Sequence, residues 1–181
     1  MDKISFVFSG SGGQGVITAA VILAEAAVLF EGLHAVQSQS YGPEARGGAT
    51  RSDVIIADTP IHYPKVAQPA VLVCLTQAAY GKYSPIMRPG GLLLTDSRFV
   101  TIERNVDARH VELPMYREVV DKVAQPVVFN ICMLGALIGL TGLVAPESIL
   151  GSLTARLPGR LLDINRKALD LGLALGREYR D

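Results

Sequence analysis

The chain has 181 residues, of which 49% are hydrophobic and 19% are charged, and its 17 basic side chains balance its 17 acidic ones. This length predicts one domain, spanning residues 1–181, that buries most of the surface its unfolded chain exposes. The balanced charge, without a basic run, excludes the electrostatic footprint of a nucleic-acid-binding protein.

Short apolar runs alternate with helical patterns along the chain. Strands are predicted at Lys3–Ser9, Leu33–Ser38, Arg51–Ala57, Ala70–Leu75, Leu92–Thr95 and Arg109–Leu113. Helices are predicted from a glycine-rich loop to about Phe30 and then at Gln77–Tyr83, Tyr116–Val123, within Val127–Ala145, at Pro146–Leu157 and at Asp163–Arg177. Strands separated by helices predict a single α/β domain, with an open, mostly parallel sheet covered by helices on both faces.

A glycine-rich loop follows the first strand and opens the first helix. It consists of Gly10, Ser11, Gly12, Gly13, Gln14 and Gly15, and its glycines satisfy the pattern G-x-G-x-x-G. This order of elements can build an anion site, because glycine lets the backbone approach a ligand and the helix start offers unpaired N–H groups. We expect Gly12 and Gly13 to hold backbone geometry that a β-branched residue cannot reach cheaply. The alternative is a tight turn without a ligand.

The same pattern occurs in NAD-binding domains, where an acidic residue about 20 residues further on binds the ribose hydroxyls. Here the end of the predicted second strand carries Gln37, Ser38 and Gln39, whereas Glu31 precedes that strand and Glu44 follows well after it. The missing acid disfavours a nicotinamide cofactor.

The loop after the second strand, within SYGPEARGGATR, is the second candidate for a binding site. Arg46 offers a planar fork for a carboxylate or phosphate, Gly47 and Gly48 can form a nest of N–H groups, and Tyr41 can stack on a ring. Both glycine loops are expected at the carboxyl end of the sheet, facing one site. The alternative is a plain surface connection in which Arg46 pairs with Glu44 or with an unrelated acid.

Few other residues indicate chemistry. Cys74 and Cys132 lie far apart in apolar runs, which predicts small buried hydrophobes rather than cluster or zinc ligands, with a reactive thiol as the remote alternative. His34, His62 and His110 lie in no known catalytic pattern. The N-terminus lacks a signal-peptide core, so we expect a cytoplasmic protein.

Two helices in the second half of the chain have distinctive patterns. Val127–Ala145 has no charge and carries Gly135 and Gly139 at G-x-x-x-G spacing, which predicts either a membrane span or a helix buried on all sides. Polar residues, bracketing prolines and a stop at Gly142 favour the buried helix, covered in part by another chain and closely approached by a neighbouring element. In the last helix, the predicted apolar stripe comprises Ile164, Ala168, Leu171, Leu175 and Tyr179.

Six segments in order carry a resemblance to a known family. They are FSGSGGQGVITAAVILAEAA, VQSQSYGPEARGGATRSDVII, YPKV, RPGGLLLTDS, FNICMLGAL and NRKALDLGL. Together they resemble the gamma subunit of 2-oxoacid:ferredoxin oxidoreductases, in the pyruvate/ketoisovalerate oxidoreductase catalytic-domain family. The resemblance is greatest to the gamma subunits of 2-oxoglutarate enzymes.

The resemblance implies a Rossmann-like fold without a nicotinamide and a role inside a complex. Such complexes convert a 2-oxoacid and coenzyme A to acyl-CoA and carbon dioxide and pass electrons to ferredoxin. Thiamine diphosphate with Mg²⁺ and [4Fe-4S] clusters belong to the alpha, beta and ferredoxin-like delta subunits, so no cofactor is expected on this chain alone. By the same resemblance the residues Gly10–Gly15, Tyr41, Arg46, Gly47 and Gly48 are coenzyme A-proximal or subunit-docking and not catalytic.

The alternatives within the family are subunits of pyruvate, branched-chain 2-oxoacid or indolepyruvate oxidoreductases. From other classes, a free-standing NAD(P)-binding enzyme and an assembly module without a ligand remain open.

The lack of a ribose-binding acid and of paired cysteines generates a first prediction. The purified chain should be colourless, bind neither NAD(H) nor NADP(H), and show no decarboxylase activity alone. Isothermal titration calorimetry checks the binding, and a tight nicotinamide complex would favour the free-standing enzyme instead.

Overall fold

The computed structural model describes residues 3–40 and 49–180, and the strands in this part of the chain form one sheet. The strands are β1 (Ile4–Gly10), β2 (His34–Ser40), β3 (Thr50–Ala57), β4 (Val71–Cys74), β5 (Gly91–Asp96) and β6 (Ala108–Leu113). Their order across the sheet is β2-β3-β1-β4-β5-β6. Only β3 runs against its neighbours, being antiparallel to both β1 and β2. The predicted open, mostly parallel sheet is confirmed.

The helices are close to the predicted ones. They are α1 (Val16–Leu29), α2 (Gln77–Tyr83), α3 (Met115–Lys122), α4 (Phe129–Thr141), α5 (Pro146–Arg156) and α6 (Gly159–Arg177), with short 3-10 turns at Ser84–Ile86 and Pro126–Val128. The α4 helix ends as predicted, because Gly142 adopts the left-handed conformation that favours glycine. The α6 helix starts four residues before the predicted Asp163, directly after Pro158, whose ring fixes a backbone angle that suits a helix start.

Helices lie on both faces of the sheet, as predicted, but very unequally. Alternate strand residues point to opposite faces, so Phe6 and Phe8 belong to one apolar cluster and Val7 to the other. The first cluster includes residues of α1, α3, α4, α5 and α6, whereas α2 and the loops around it cover the second face. The thick helical layer therefore lies on one side of the sheet.

The α4 helix is the centre of that layer. Every residue from Phe129 to Leu140 is at most 9% exposed, so the predicted burial on all sides is confirmed. The expected cover by another chain is wrong for this helix, because α1, α3 and α6 of the same chain pack around it. Among the described residues, no helix combines the length and apolar character needed to cross a bilayer.

Glycines allow α4 and α6 to pack with their backbones in contact. A Cβ atom on Gly139 would lie 2.7 Å from the carbonyl oxygen of Leu173, and one on Gly172 would overlap the carbonyl oxygen of Cys132. Gly135 and Gly176 meet the facing backbone in the same way. The predicted close approach at Gly135 and Gly139 is therefore confirmed, and the approaching element is α6, which carries glycines at the same spacing.

The buried face of α6 differs from the predicted stripe. The buried residues are Asn165, Ala168, Leu169, Gly172, Leu173 and Gly176. Of the predicted stripe, Ala168 is buried, Ile164, Leu171 and Leu175 flank the core, and Tyr179 is 48% exposed. The prediction followed the large side chains, but the contact with α4 requires the small ones at its centre, so the larger ones lie beside it.

The backbone contact between α4 and α6 predicts which glycine substitutions destabilise the fold. Gly172→Ala should lower the free energy of unfolding by about 1–3 kcal/mol, because the added methyl group overlaps backbone that cannot rotate away. Urea denaturation followed by circular dichroism measures this difference.

Gly81→Ala is the matched control, since a Cβ atom at this helical glycine of α2 meets nothing within 4 Å. It should leave the stability unchanged or raise it by up to about 1 kcal/mol. Equal effects of the two substitutions would contradict the packing described here.

Candidate functional site

The two glycine-rich loops leave the sheet at the same edge. β1 ends at Gly10 opposite Thr50 of β3, and β2 ends at Ser40 opposite Arg51 of β3. Because β3 is antiparallel to both, β1 and β2 point the same way and their loops start two strand spacings apart, about 10 Å. Tyr41, Arg46, Gly47 and Gly48 lie outside the described residues, so their role remains a prediction.

The backbone angles of the loop between β1 and α1 favour glycine at two positions. Gly13 and Gly15 adopt left-handed φ angles of 89° and 71°, and a side chain on Gly15 would also collide with that of Asn130. Gly12 lies outside the left-handed region and has open space around it. The expectation of special backbone geometry is therefore met at Gly13 and wrong at Gly12, since a residue there meets neither backbone strain nor a neighbour.

Gln14 holds the loop together rather than facing a ligand. Its Oε1 atom accepts a hydrogen bond from the Ser11 N–H at 2.8 Å, and its Nε2 atom donates to the Leu75 carbonyl oxygen at 3.1 Å. The side chain thus ties the glycine loop to the end of β4, and both ends of its amide are occupied.

The start of α1 can receive an anion. Gly15 precedes the helix without a side-chain cap, and the first turn carries no acidic residue. Gly12 and Gly13 are exposed at the top of the loop. Exposed backbone N–H groups at the positive end of a helix dipole favour a phosphate or carboxylate.

Asn130 is a site residue that the sequence interpretation missed. Its carboxamide lies at the start of α4, is 9% exposed, and donates from Nδ2 to the Gly15 carbonyl oxygen at 3.3 Å. An amide in an otherwise apolar helix must find a hydrogen-bonding partner when it is buried. That rule could have marked Asn130, although it could not have identified Gly15 as the partner.

Arg51 is a second residue that was missed, and it anchors the start of β3. Its guanidinium donates to both carboxylate oxygens of Asp53, at 2.6 and 2.9 Å, and to the Val66 carbonyl oxygen at 2.7 Å. It also lies over the ring of Tyr83, whose hydroxyl donates to the Ala49 carbonyl oxygen at 3.3 Å. Arg51 and Asp53 stand two apart on one strand and so share a face, which is the pattern that predicts such a pair.

The same ion pair bears on a nicotinamide site. Asp53 stands opposite Ser38, near the end of β2, where a ribose-binding acid would be expected. Its carboxylate is fully engaged by Arg51 and is 13% exposed. Asp53, the acidic residue nearest to the expected ribose position, therefore pairs with Arg51 instead of facing a ribose.

The cysteines and histidines do not form a reactive group among the described residues. Burial raises the pKa of Cys74 and of Cys132 to about 12, so neither thiol ionises near neutral pH and both behave as the predicted buried hydrophobes. Among the histidines, His34 and His62 are exposed, and His110 shares a hydrogen bond with Thr95 Oγ1 at 2.8 Å. The described part of the chain contains no group of three residues able to hold a metal ion.

Comparison with known proteins gives consistent matches over nearly the whole chain. The family model described as pyruvate ferredoxin/flavodoxin oxidoreductase matches residues 5–175. The 2-oxoglutarate synthase subunit KorC of Methanocaldococcus jannaschii is 44% identical over 172 residues, which cover 94% of this chain and 92% of the relative.

Solved structures share the fold. The gamma subunit of a keto/oxoacid ferredoxin oxidoreductase from Geobacter sulfurreducens superimposes with a TM-score of 0.91 at 39% identity, over the full length of both chains. A 2-oxoglutarate:ferredoxin oxidoreductase from Magnetococcus marinus, solved with 2-oxoglutarate, coenzyme A and succinyl-CoA, has a TM-score of 0.86 at 19% identity. This match covers 98% of the present chain and 32% of the Magnetococcus chain, and it shows the fold alone.

The loop geometry predicts different tolerances at two adjacent glycines. Gly13→Val should destabilise the fold by about 1–2 kcal/mol, because a β-branched residue disfavours the left-handed region. If the loop is a binding or docking site, the substitution should also impair a complex that contains this chain. Thermal denaturation and turnover of the reconstituted complex measure the two effects.

Gly12→Val is the internal control, with open space and no left-handed strain. Its free energy of unfolding should stay within about 0.5 kcal/mol of wild type, as for surface substitutions. If the Gly13→Val complex assembled and turned over normally, the loop would be an ordinary connection rather than a site.

Proposed function

The chain belongs to the pyruvate ferredoxin/flavodoxin oxidoreductase family, and on that basis we propose that it is the gamma subunit of a 2-oxoglutarate:ferredoxin oxidoreductase. The observation that carries this proposal is the 44% identity to a 2-oxoglutarate synthase subunit over nearly the whole of both chains. The complex oxidatively decarboxylates the 2-oxoacid with coenzyme A, giving an acyl-CoA and carbon dioxide, and reduces ferredoxin.

In this proposal the chemistry lies on partner subunits. Alpha, beta and ferredoxin-like delta chains supply thiamine diphosphate, Mg²⁺ and [4Fe-4S] clusters. The residues that the structure describes do not suit an iron–sulfur cluster, which needs several thiolates in one place. Cys74 and Cys132 are buried in the hydrophobic cores on opposite faces of the sheet. The gamma chain is therefore inactive alone.

The contribution of this chain is a docking or coenzyme A-proximal surface at the loop edge of the sheet. Three features support it: exposed glycines at the loop, an uncapped start of α1, and a second glycine loop leaving the same edge. Coenzyme A carries phosphates, and a helix start suits a phosphate. The site comprises Gly10, Ser11, Gly12, Gly13, Gln14, Gly15, Tyr41, Arg46, Gly47 and Gly48, with Gln14 acting as the internal tie of the first loop.

A cytoplasmic location is part of the proposal. Both cysteines are free and buried, and disulfide-free proteins are typical of a reducing compartment.

Arg46 gives the sharpest test of this role. Arg46→Ala should raise the Michaelis constant for coenzyme A, or weaken association with the alpha chain, because it removes a charge-assisted bond worth about 1–3 kcal/mol, up to roughly a hundredfold. Steady-state kinetics of the reconstituted complex, with coenzyme A varied at saturating 2-oxoglutarate, detects loss of ligand contact as a raised Michaelis constant alone. Weakened co-purification detects loss of contact with the alpha chain. Arg46→Lys should rescue little, since an ammonium group cannot replace a bidentate fork.

Arg166→Ala serves as the control, because Arg166 is exposed on α6, in the helical layer. If Arg46→Ala shows wild-type kinetics and wild-type co-purification, the second loop is a plain surface connection and the proposed role of Arg46 is wrong. An inactive reconstituted complex with the wild-type chain would overturn the proposed function itself.

A further inference from the structure

A groove of about 530 Å³ opens between α1, α4, α5 and α6. Its volume lies in the range of about 300–1,000 Å³ that specific binding pockets occupy. The walls are mainly apolar, with side chains from all four helices and from the turn before α4. They include Ile22, Val127, Ile131, Leu157, Leu161 and Ile164.

The rim of the groove exposes large apolar side chains. Val127 is 80% exposed and Leu161 is 40% exposed, and both line the opening. Apolar surface that is concave and continuous marks an interaction site more often than scattered single residues do.

Two buried carboxamides line the same groove. Asn130 is 9% exposed and Asn165 is 8% exposed. Their Nδ2 atoms donate to the carbonyl oxygens of Gly15 and Leu161, but neither Oδ1 atom accepts a hydrogen bond from a residue that the structure describes. A polar atom in an apolar site gains free energy from a partner, and a peptide N–H provides one.

The mouth of the groove carries positive charge. Arg156 is paired with Glu25, whereas Arg160 forms no ion pair with the described residues. Arg160 is in the first turn of α6, which begins after Pro158 without a side-chain cap or an acidic residue. A carboxylate placed there would meet both a guanidinium fork and the positive end of the helix dipole.

We propose that this groove is the docking site for a short apolar segment of a partner subunit. The segment places apolar side chains against Val127, Leu161 and Ile164, backbone amides on Asn130 and Asn165, and one acidic side chain at Arg160. The inference rests on the proposed function, since it requires a partner subunit. Because Asn130 also holds Gly15, the docked segment would lie one side chain away from the glycine loop.

The test measures how tightly variants of the full chain bind the remaining subunits of its own complex. Leu161→Lys places a charge on the apolar rim, and Arg160→Glu reverses the charge at the mouth. Each should raise the dissociation constant at least tenfold by biolayer interferometry.

Two substitutions are matched controls. Ile102→Lys changes a side chain of nearly equal exposure, 39%, in a pocket with the α2 residue Tyr80, and Arg166→Glu reverses a charge on the same helix, six residues from Arg160. Both should stay within twofold of wild type. Groove variants that also stay within twofold, while folded by circular dichroism, would overturn the docking site.

A second measurement does not depend on how the variants fold. A benzoylphenylalanine cross-linker at Val127 of the assembled complex should capture a partner peptide that is apolar and contains Asp or Glu. Absence of this cross-link, or a small molecule retained by the isolated chain in native mass spectrometry, would overturn the proposal. If the groove variants assemble with unaltered affinity and the complex turns over, the docking site is excluded but the gamma-subunit role stands. If the wild-type chain does not assemble, both proposals are excluded.

Discussion

The helical layer depends on the contact between the backbones of α4 and α6. Four glycines, two on each helix, bring the helices so close that added Cβ atoms would meet main-chain atoms of the neighbour. Such closeness gains dispersion energy along the whole contact and allows weak Cα–H···O bonds. It also explains how a helix with no charge between Phe129 and Thr141 is fully buried by its own chain. Ile164, Leu171 and Leu175 of α6 lie beside this contact, and Ile164 forms part of the groove wall together with Leu161.

The position of α4 in turn supports the first glycine loop. Asn130, at the first turn of α4, holds the Gly15 carbonyl oxygen just before α1 begins, while Gln14 joins the loop to the end of β4. The loop is thus fixed from two sides, by residues 115 and 61 positions away in sequence. Its tip, formed by Gly12 and Gly13, remains exposed although the rest of the loop is held in place. A site preorganised in this way loses less entropy on binding.

The reversed strand β3 determines where the second loop begins and ends. Because β3 inserts between β2 and β1, β2 ends and β3 begins at the same sheet edge from which Gly10 departs. Arg51, Asp53 and Tyr83 secure the start of β3 through an ion pair, a ring contact and the hydrogen bond to Ala49. A partly buried guanidinium bound by a carboxylate in two places is a rigid anchor.

The sequence by itself determined the identity of nearly every helix and strand, the helix stop at Gly142, the buried thiols and the family. These follow from residues close together in the chain: period-two and period-3.6 patterns, turn glycines, and motifs in a constant order. Only the tertiary structure decided the reversal of β3, the buried face of α6, and the pairing of Asn130 with Gly15. Each of these depends on residues far apart in sequence, and α6 buries glycines where its pattern of large side chains favoured leucines. The short distance between the two backbones leaves room only for small residues at the contact. A single sequence does not give that distance.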